Sequence, residues 1–334
     1  MKLLIVTQKV DATDSNLGFF ISWIKKFSEY AEVTVIANEV GPYELPDNVR
    51  VLSLGKERGA SRLVRLFRYR KFLFQILPKV DGIFFHMCPE YVLAAKFLPK
   101  LFGKKSILWY THKEVSLRLR VASWLVNKIF TASKESCRLN SKKVEVVGHG
   151  IDTNVFTNRQ ANKHTLHLVT VGRIAPVKDL RTIILGFQGI LKRIPSAKLS
   201  VIGEPITAVD RAYQKELKAM APDVHFGSFP YGTVFASDRG YTVFVHASRT
   251  GSLDKAVLEA LAAELPVFTS SETFSEAIPG VRKFKADDPK DLAEKILDTF
   301  ERGEIVYNEA GREWVRKNHS LDKLIPKILD FYKC

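Results

Sequence analysis

The chain has 334 residues, of which 46% are hydrophobic and 26% charged. This length exceeds what one hydrophobic core usually supports, so we expect two domains. The hydrophobic fraction and the absence of low-complexity tracts exclude a disordered chain, so both domains should be folded. The formal net charge is +15, and through Phe156 there are 25 Lys and Arg against 14 Asp and Glu. A basic first half indicates an anionic partner such as membrane lipid, nucleic acid or a phosphorylated acceptor.

The cysteines and the N-terminus bear on where the protein works. Cys88, Cys137 and Cys334 are widely spaced and match no zinc pattern, which favours a reducing compartment without a disulfide framework. The start, MKLLIVTQKVDATD, has too short an apolar run for a signal peptide, and no apolar segment approaches the roughly 20 residues that span a bilayer. We therefore expect a cytoplasmic protein, either free or bound peripherally to the cytoplasmic membrane.

The first half has the pattern of an α/β domain. Lys2 to Thr7 is a continuous apolar strand, as in a buried parallel sheet, and a polar loop ending at Gly18 leads into a helix predicted over Phe19 to Tyr30. Further strands are predicted at 33–36, 49–54, 82–86 and 106–110. The last two end beside His86 and His112, and strand ends are where an α/β sheet presents its chemistry.

Residues 56–79, KERGASRLVRLFRYRKFLFQILPK, combine cations with leucine and phenylalanine side chains. One interpretation is an ordinary amphipathic helix whose charges form a solvated face. The other is a basic helix resting on anionic lipid, where each Lys or Arg near the surface contributes about 1 kcal/mol. Further cations would extend that surface: Lys96, Lys100, Lys104, Lys105, Arg118 and Arg120. Nucleic acid is not expected, because no RNA- or DNA-binding module is recognisable.

The second half opens with a strand over 166–171 that runs into Gly172-Arg173 and then Lys178. The glycine permits close backbone approach, and a helix is predicted to begin near Lys178. An Arg and a Lys at a helix N-terminus form an anion site, with Arg engaging phosphate as a fork and Lys as a point charge. The plainer alternative is two surface cations on a loop.

The pattern from Val243 to Ser270 predicts a strand, a loop, a helix and a second strand. Such a βαβ unit binds ligands at the carboxyl ends of its strands and at the N-terminus of its helix. Ser252 is the candidate N-cap. From Ala256 to Ala263 every residue except Glu259 is apolar, which is typical of a buried helix. The carboxylate of Glu259 either forms a surface i,i+4 ion pair with Lys255 or is aimed at a polar ligand.

Two of these segments resemble the donor-site signature of glycosyltransferase family 4, GT-B enzymes that move sugars from nucleotide donors. Val257-Leu258-Glu259-Ala260 and Pro266-Val267 match its helix and strand, and Gly172-Arg173 with Lys178 matches its Gly-Arg…Lys element. The N-terminal half matches more loosely, through Trp109-Tyr110-Thr111-His112. The resemblance covers nearly the whole chain and implies an α/β fold of the GT-B type, with two Rossmann-like domains facing across an interdomain cleft.

The implied domains are an acceptor-side domain over 1–155 and a donor domain over 156–319, joined by a linker over 153–165. The last helix, 320–334, is expected to cross back to the first domain. Gly18, Gly172 and Gly203 would belong to the loops that meet the donor.

The resemblance implies a retaining transfer of a sugar from a nucleoside diphosphate to an acceptor, without a metal or other cofactor. Arg173 and Lys178 would neutralise the charge of the leaving diphosphate. Backbone amides from Leu253 to Ala256 would bind the donor, and Glu259 would accept the ribose hydroxyls. His112 would contact the sugar near the reacting carbon. The acceptor would be a glycan or a lipid-linked molecule, with an anionic membrane surface met through residues 56–79.

The sequence departs from the family pattern at three places. Gly251 replaces the first Glu of the signature, and Ser270-Ser271-Glu272 stands in place of a common Gly pair. Asp179 replaces the Gly after Lys178, and we expect its side chain to cap the helix that follows. The carboxylate nearest to Gly251 belongs to Asp254, in the first predicted turn of the helix. We expect Asp254, oriented by Lys255, to contact the sugar hydroxyls or else only to cap the helix.

Because Gly251 removes a carboxylate that the family uses on the sugar, two alternatives to an active glycosyltransferase stay open. One is a GT-B protein that binds a nucleotide sugar with degenerate activity, and the other is an epimerase.

Overall fold

The structure is a computed structural model that describes residues 1–14, 16–156, 165–235 and 239–333. The chain forms two compact units, one made of Met1–Gly150 with the C-terminal segment from His319, the other of Ile151–Asn318. Each unit is a parallel sheet with helices packed on it, which confirms the predicted pair of Rossmann-like α/β domains. Of the predicted linker, residues 157–164 lie outside the described part.

In chain order, the first part of the molecule contains β1 (Lys2–Val10), α1 (Phe20–Ser28), β2 (Glu32–Val40), β3 (Val49–Ser53), α2 (Arg62–Ile76), β4 (Gly82–His86), α3 (Pro89–Ala95), α4 (Leu98–Leu101), β5 (Lys105–Trp109), α5 (Leu117–Leu125), β6 (Lys128–Thr131) and β7 (Val144–Val146). Short 3-10 turns at Lys56–Arg58 and Leu77–Lys79 flank α2, so the predicted helix over 56–79 is divided.

The second part contains β8 (His167–Val171), α6 (Leu180–Leu191), β9 (Lys198–Ile202), α7 (Ala208–Met220), β10 (His225–Gly227), β11 (Val243–His246), α8 (Lys255–Ala262), β12 (Val267–Thr269), β13 (Val281–Lys283), α9 (Pro289–Glu301) and α10 (Glu309–His319). The chain then ends in α11 (Leu321–Lys333).

Both sheets are wound in two directions from a central pair of strands. The first has the order β3-β2-β1-β4-β5-β6-β7 and the second the order β10-β9-β8-β11-β12-β13, with neighbouring strands parallel. The winding direction reverses between β1 and β4 and between β8 and β11. Such switch points are where open α/β sheets bind their ligands, at the carboxyl ends of the strands.

The strands are apolar because helices cover the sheets on both faces. In β1, Leu3–Val6 is fully buried, and in the second sheet Phe244 and Val245 of β11 are fully buried as well. Tyr69 and Leu73 of α2 and Leu119 of α5 pack into one core on the first sheet. These two helices therefore lie on the same face of that sheet.

Helix α11 packs within the first unit. The hydroxyl of Tyr332 donates to the carbonyl oxygen of Ile83 at 2.8 Å, and its ring occupies the space that a side chain at Gly82 would need. Lys26 of α1 forms an ion pair with Asp322 of α11 at 2.6 Å. Across the described residues, no helix combines the length and the apolar character that crossing a membrane requires.

Candidate functional site

The loop after β8 carries the predicted glycine and its two cations. Gly172 has a φ of +143°, which favours glycine, and its amide donates to the carbonyl of Ile202 at 2.9 Å. A Cβ atom at Gly172 would lie 3.6 Å from Cε and 3.7 Å from Nζ of Lys178. The lysine side chain therefore lies directly over this glycine, at the carboxyl end of the central strand.

Gly203 follows β9 and lies against the same loop. Its φ is +148°, its amide donates to the carbonyl of Gly227 at 2.8 Å, and a Cβ atom there would collide with the carbonyl oxygen of Gly172. Glycines at both positions let two neighbouring strand-end loops touch through their backbones.

Helix α6 begins at Leu180, two residues after the predicted start near Lys178. Pro176–Lys178 forms a 3-10 turn and the α-helix begins at Leu180, after Asp179 in the left-handed conformation at φ +46°. The carboxylate of Asp179 makes no capping hydrogen bond, and it pairs with Arg249 at 3.0 Å. A capping role for the Asp179 side chain is therefore wrong.

Arg173 projects from the same loop with its side chain 45% exposed. Its Nε lies 4.0 Å from a carboxylate oxygen of Asp210. Hydrogen bonds from the Thr207 backbone and hydroxyl, and then the charge of Arg173, keep the pKa of the Asp210 carboxyl below its usual value. The guanidinium remains accessible to a ligand, because more than one-third of the side chain is in solvent.

Asp254 is the N-cap of α8, and the prediction that Ser252 caps this helix is wrong. The Oδ1 atom of Asp254 accepts from the amide of Ala256 at 3.3 Å, while the Ser252 hydroxyl donates to Thr250. Asp254 therefore stands before the first turn and not within it, and its carboxylate occupies one of the amides expected to meet a donor.

The second oxygen of Asp254 joins two further side chains. Its Oδ2 contacts the ammonium group of Lys178 and lies 3.2 Å from Nε2 of His246. Burial alone would raise the pKa of the Asp254 carboxyl, but Lys178 and His246 hold it far below its usual value. Lys255, expected to orient Asp254, pairs with Glu259.

His246 is the site residue that the sequence analysis missed. It ends β11, it is 4% exposed, and its Nδ1 lies 2.9 Å from the Thr269 hydroxyl. The signal was present: a histidine at the end of an apolar strand is the same feature that drew attention to His86 and His112.

Glu259 is buried within α8, and the ion pair with Lys255 is present but is not a surface pair. Nζ of Lys255 lies 2.9 Å from Oε1, with side-chain exposures of 22% and 7%. This ammonium group also lies 4.5 Å from the ring centre of Tyr231. Side-chain hydrogen bonds from both Lys255 and Tyr231 reach this carboxylate. Burial raises the pKa of the Glu259 carboxyl, and Lys255 offsets only part of that rise.

Gly251 and Leu253 lie on the loop that connects β11 to α8. Gly251 has a φ of +61°, a left-handed conformation that disfavours the glutamate of the family pattern. Leu253 packs against a hydrophobic core of the second unit, and the carbonyl of Ser252 accepts from the Thr273 hydroxyl at 3.3 Å. These contacts hold the loop beside the start of α8.

The remaining predicted residues lie in the first unit. His112 is exposed after β5, where its Nδ1 accepts from the amide of Glu114 at 3.2 Å. Gly18 lies in the loop before α1, where its amide donates to the backbone carbonyl of Asp14 at 3.0 Å. His86 is buried, stacked on Phe20 at 3.8 Å between ring centres, and its surroundings are those of a core residue.

The second unit thus brings together seven of the predicted donor-site residues: Gly172, Arg173, Lys178, Gly203, Leu253, Asp254 and Ala256. Lys255 and Glu259 form a pair one turn further along α8. Within the ranges that the structure describes, no group of three His, Cys, Asp or Glu side chains could hold a metal ion.

Comparisons with known proteins bear on this unit. Residues 165–302 match the family model described as glycosyl transferases group 1. No curated protein matches the chain.

Several solved structures share the whole fold. One is HepE of Anabaena in complex with UDP and glucose, with a TM-score of 0.76, 14% identity, and coverage of 100% of this chain and 99% of that chain. A second is a glycosyltransferase of Rickettsia africae, with a TM-score of 0.74, 15% identity and coverage of 98% and 97%. A third is sucrose-phosphate synthase of Thermosynechococcus elongatus, with a TM-score of 0.75, 14% identity and coverage of 98% of both chains.

The segment that matches the family model contains the whole cluster around Lys178. The solved structures, at 14% and 15% identity, show the fold alone. The chain therefore has the GT-B fold, and the unit that holds the candidate site matches a group 1 glycosyltransferase domain, which makes the protein an enzyme of the glycosyltransferase class.

Proposed function

We propose that the protein transfers a sugar from a nucleoside diphosphate sugar to an acceptor, with retention of configuration and without a catalytic metal. The observation that carries the proposal is the position of Lys178. Its ammonium group lies over Gly172 at the strand switch point, beside the start of α8, in a segment that matches the glycosyl transferases group 1 model. A cation there, next to helix-terminal amides, suits a diphosphate. Resemblance to family 4 supports the retaining course.

Arg173 supplies the second cation of this proposal. It leaves the same loop as Lys178 and stays half exposed, so its planar guanidinium can take two phosphate oxygens while the lysine acts as a point charge. When the bond to the sugar breaks, negative charge grows on the diphosphate. Two fixed cations stabilise that charge more than they stabilise the intact donor, which lowers the barrier.

Glu259 is the proposed acceptor for the ribose hydroxyls. Its side chain is only 7% exposed, Lys255 stabilises its negative charge from 2.9 Å, and a carboxylate can accept more hydrogen bonds than Lys255 and Tyr231 supply. A buried carboxylate with free hydrogen-bonding capacity loses stability unless a ligand completes it. Hydroxyl donors on a nucleotide would complete it.

His112 and Gly18 are proposed to serve from the first unit, the histidine at the sugar and the glycine in a donor-side loop. Asp254 could contact a sugar hydroxyl only after leaving Lys178, because its two oxygens are engaged by Lys178, His246 and the amide of Ala256.

Gly251 favours a second candidate function. The family pattern places a carboxylate at this position, and the backbone at φ +61° disfavours one here. A protein that binds a nucleotide sugar without transferring it, or that epimerises it, is the alternative. Free epimerised nucleotide sugar among the products would identify the epimerase.

The deciding experiment measures binding and turnover together. Thermal unfolding is followed with UDP, GDP and ADP, starting with UDP because HepE was solved with it. A nucleotide at one hundred times its dissociation constant should stabilise the protein by about 2.7 kcal/mol. Donor hydrolysis without acceptor then separates an enzyme from a binder. Failure of every nucleotide to raise the Tm would reject the proposal.

We also propose that the acceptor lies at an anionic membrane surface. In the first unit, helices α2, α4 and α5 and their flanking residues expose large apolar side chains: Leu63, Leu66, Phe67, Phe74, Phe97, Leu101, Leu117 and Trp124. Phe67 is 72% exposed and Trp124 is 79% exposed. Large side chains of this kind mark an interaction surface when they occur together.

The charge around these side chains specifies the partner. Residues 62–125 contain 13 Lys and Arg and only 3 Asp and Glu. Arg65 and Arg68 of α2 are used inside the unit, donating to Asn38 and to the carbonyl of Leu54. Arg62, Arg70 and Lys71 remain exposed beside the apolar side chains. Cations that flank aromatic and leucine side chains fit the headgroup region of an anionic bilayer.

A further inference from the structure

One carboxylate oxygen in the second unit is shared by two basic side chains from different elements. Oδ2 of Asp254, ahead of α8, contacts Lys178 from the 3-10 turn and His246 from the end of β11. The other oxygen is held by the amide of Ala256. The lysine assigned to the donor diphosphate therefore already has an anionic partner of its own.

We propose that Asp254 is a resident counterion of Lys178 with which the donor diphosphate competes, and that His246 is the positioning residue that holds Asp254 once the lysine turns to the ligand. This inference rests on the proposed function and concerns how donor binding at that site is regulated. The lysine side chain is only 18% exposed, so it has little room to serve both anions at full strength. Phosphate oxygens approaching Lys178 must also approach the carboxylate, and two anions this close repel each other.

When Lys178 turns to the ligand, His246 is the basic side chain that stays beside Asp254. Lys178 and Arg173 approach from the loop region after β8, and Lys255 and Glu259 neutralise each other on α8. The hydroxyl of Thr269 at Nδ1 can donate to a neutral ring or accept from a charged one. Through Nε2, His246 would then hold Asp254 in place of Lys178.

The first experiment removes the competing charge and keeps the cap. Asp254→Asn preserves capping, because Asn and Asp cap helices about equally well. Binding of UDP and of inorganic pyrophosphate is measured by calorimetry on the full chain. We expect both to bind at least about 10-fold more tightly to the variant. Asp254→Ser, which also caps, is the second variant if the first folds poorly. The matched control is Asp288→Asn, at the N-cap of α9.

The outcomes separate this inference from the proposed function. If wild type binds UDP and neither Asp254 variant binds it more tightly, the counterion role is wrong and the function stands. If the variants gain affinity for pyrophosphate alone and no form binds a nucleotide, the counterion role stands and the function is wrong. If no form binds either anion, both are rejected.

The second experiment tests whether His246 positions Asp254. UDP binding is measured by calorimetry for wild type, His246→Gln and His246→Ala. His246→Gln keeps an amide that can donate to Asp254, so it should bind UDP within about 2-fold of wild type. His246→Ala removes that donor and should bind UDP about 10-fold more weakly. Equal UDP affinity of wild type and His246→Ala would overturn the positioning role, as would an equal loss in both variants.

Discussion

At the scale of single residues, the cations after β8 offer the most direct test of the donor site. Arg173→Ala removes a half-exposed guanidinium, so we expect an intact fold and a loss of roughly 2–4 kcal/mol of transition-state stabilisation, as for other preorganised charge contacts. Lys192→Ala, on the exposed end of α6, is the matched control. Donor turnover by Arg173→Ala near that of the control would reject the diphosphate role.

Lys178→Ala should also reduce turnover, but it should reduce stability as well. The substitution leaves the carboxylate of Asp254, a side chain only 14% exposed, with His246 as its remaining basic partner. Removing one partner of a buried ion pair typically costs about 3–5 kcal/mol. Chemical denaturation should show this loss for Lys178→Ala and not for Arg173→Ala. Equal stability of the two variants would mean that Lys178 and Asp254 do not depend on each other.

Glu259→Gln distinguishes a ligand role from a structural one. We expect nucleotide affinity to fall about 10-fold or more, because a charged acceptor is lost. Burial raises the pKa of this carboxyl above its unfolded value, so its charged form reduces stability as the pH rises above about 4.3. Stability at neutral pH should therefore not fall in the variant, and its advantage over wild type should shrink towards pH 4. Glu294→Gln, which loses an exposed i,i+4 pair with Lys290, is the control.

If Glu259→Gln keeps its nucleotide affinity but loses stability, Glu259 is a structural residue whose role is the ion pair with Lys255.

Sequence reasoning found most of the residues in this site but not how they pair. Lys178 and Glu259 could be predicted because each stands at a position that its own segment explains. The contact of Lys178 with Asp254 joins residues 76 positions apart, and it depends on how β8 and β11 align in the sheet. No local pattern contains that information. His246 was missed because its neighbours on the sheet, not in the chain, make it a site residue.

At the scale of elements, a lysine outside α5 closes the end of that helix. Nζ of Lys143 lies 2.8 Å from the carbonyl oxygen of Ser123, 3.3 Å from that of Trp124 and 2.7 Å from that of Val126. The last carbonyls of a helix have no partner within it, and a cation also suits the negative end of the helix dipole. Burial, helped by Lys100, lowers the pKa of Lys143, so it is the protonated form that burial disfavours.

Lys143→Ala should therefore lower the free energy of unfolding by about 1–2 kcal/mol, since three carbonyls lose a charged donor. The measurement is denaturant unfolding at fixed pH. Lys142→Ala, at the exposed neighbouring position, should unfold like wild type. If both variants unfold together, the contacts of Lys143 contribute nothing to stability.

Elements were predicted well wherever burial decides them, and less well at their ends. The strand at 82–86 was predicted with its observed bounds because every residue in it is buried. The start of α8 was misplaced, because Ser252 and Asp254 are both good caps and only the fold decides between them. Asp179 was taken for a cap because its position suits one, but Arg249 draws its carboxylate away.

At the scale of the whole molecule, the two-domain division followed from length, and the GT-B fold followed from the resemblance of two short motifs. The basic first half also left an anionic partner to be explained. What the sequence could not provide was the set of apolar side chains that the fold leaves in solvent. Phe97 and Trp124 lie among ordinary helical residues in the chain, and only the packed helices show them exposed.

The last prediction tests that surface with vesicles. Wild type should sediment with vesicles of phosphatidylcholine and phosphatidylglycerol, and much less with phosphatidylcholine alone. Binding should weaken as salt rises from 0.1 M to 1 M, because the screening length falls from about 10 Å to about 3 Å. The double variant Phe67→Ser with Trp124→Ser should lose about 10-fold or more in binding without loss of stability, since both side chains are largely exposed.

The matched control for this variant removes two exposed apolar side chains from the second unit, Ile206→Ser with Val209→Ser, which are 56% and 66% exposed. These residues flank and begin α7, outside the basic region, so vesicle binding should remain that of wild type. Cations draw the protein to the anionic surface, and the apolar side chains then hold it there, so both salt and the serine substitutions must weaken binding. Equal binding to neutral and anionic vesicles would exclude a lipid surface as the anionic partner. Equal losses in the two double variants would show that the helices of the first unit have no special role in binding.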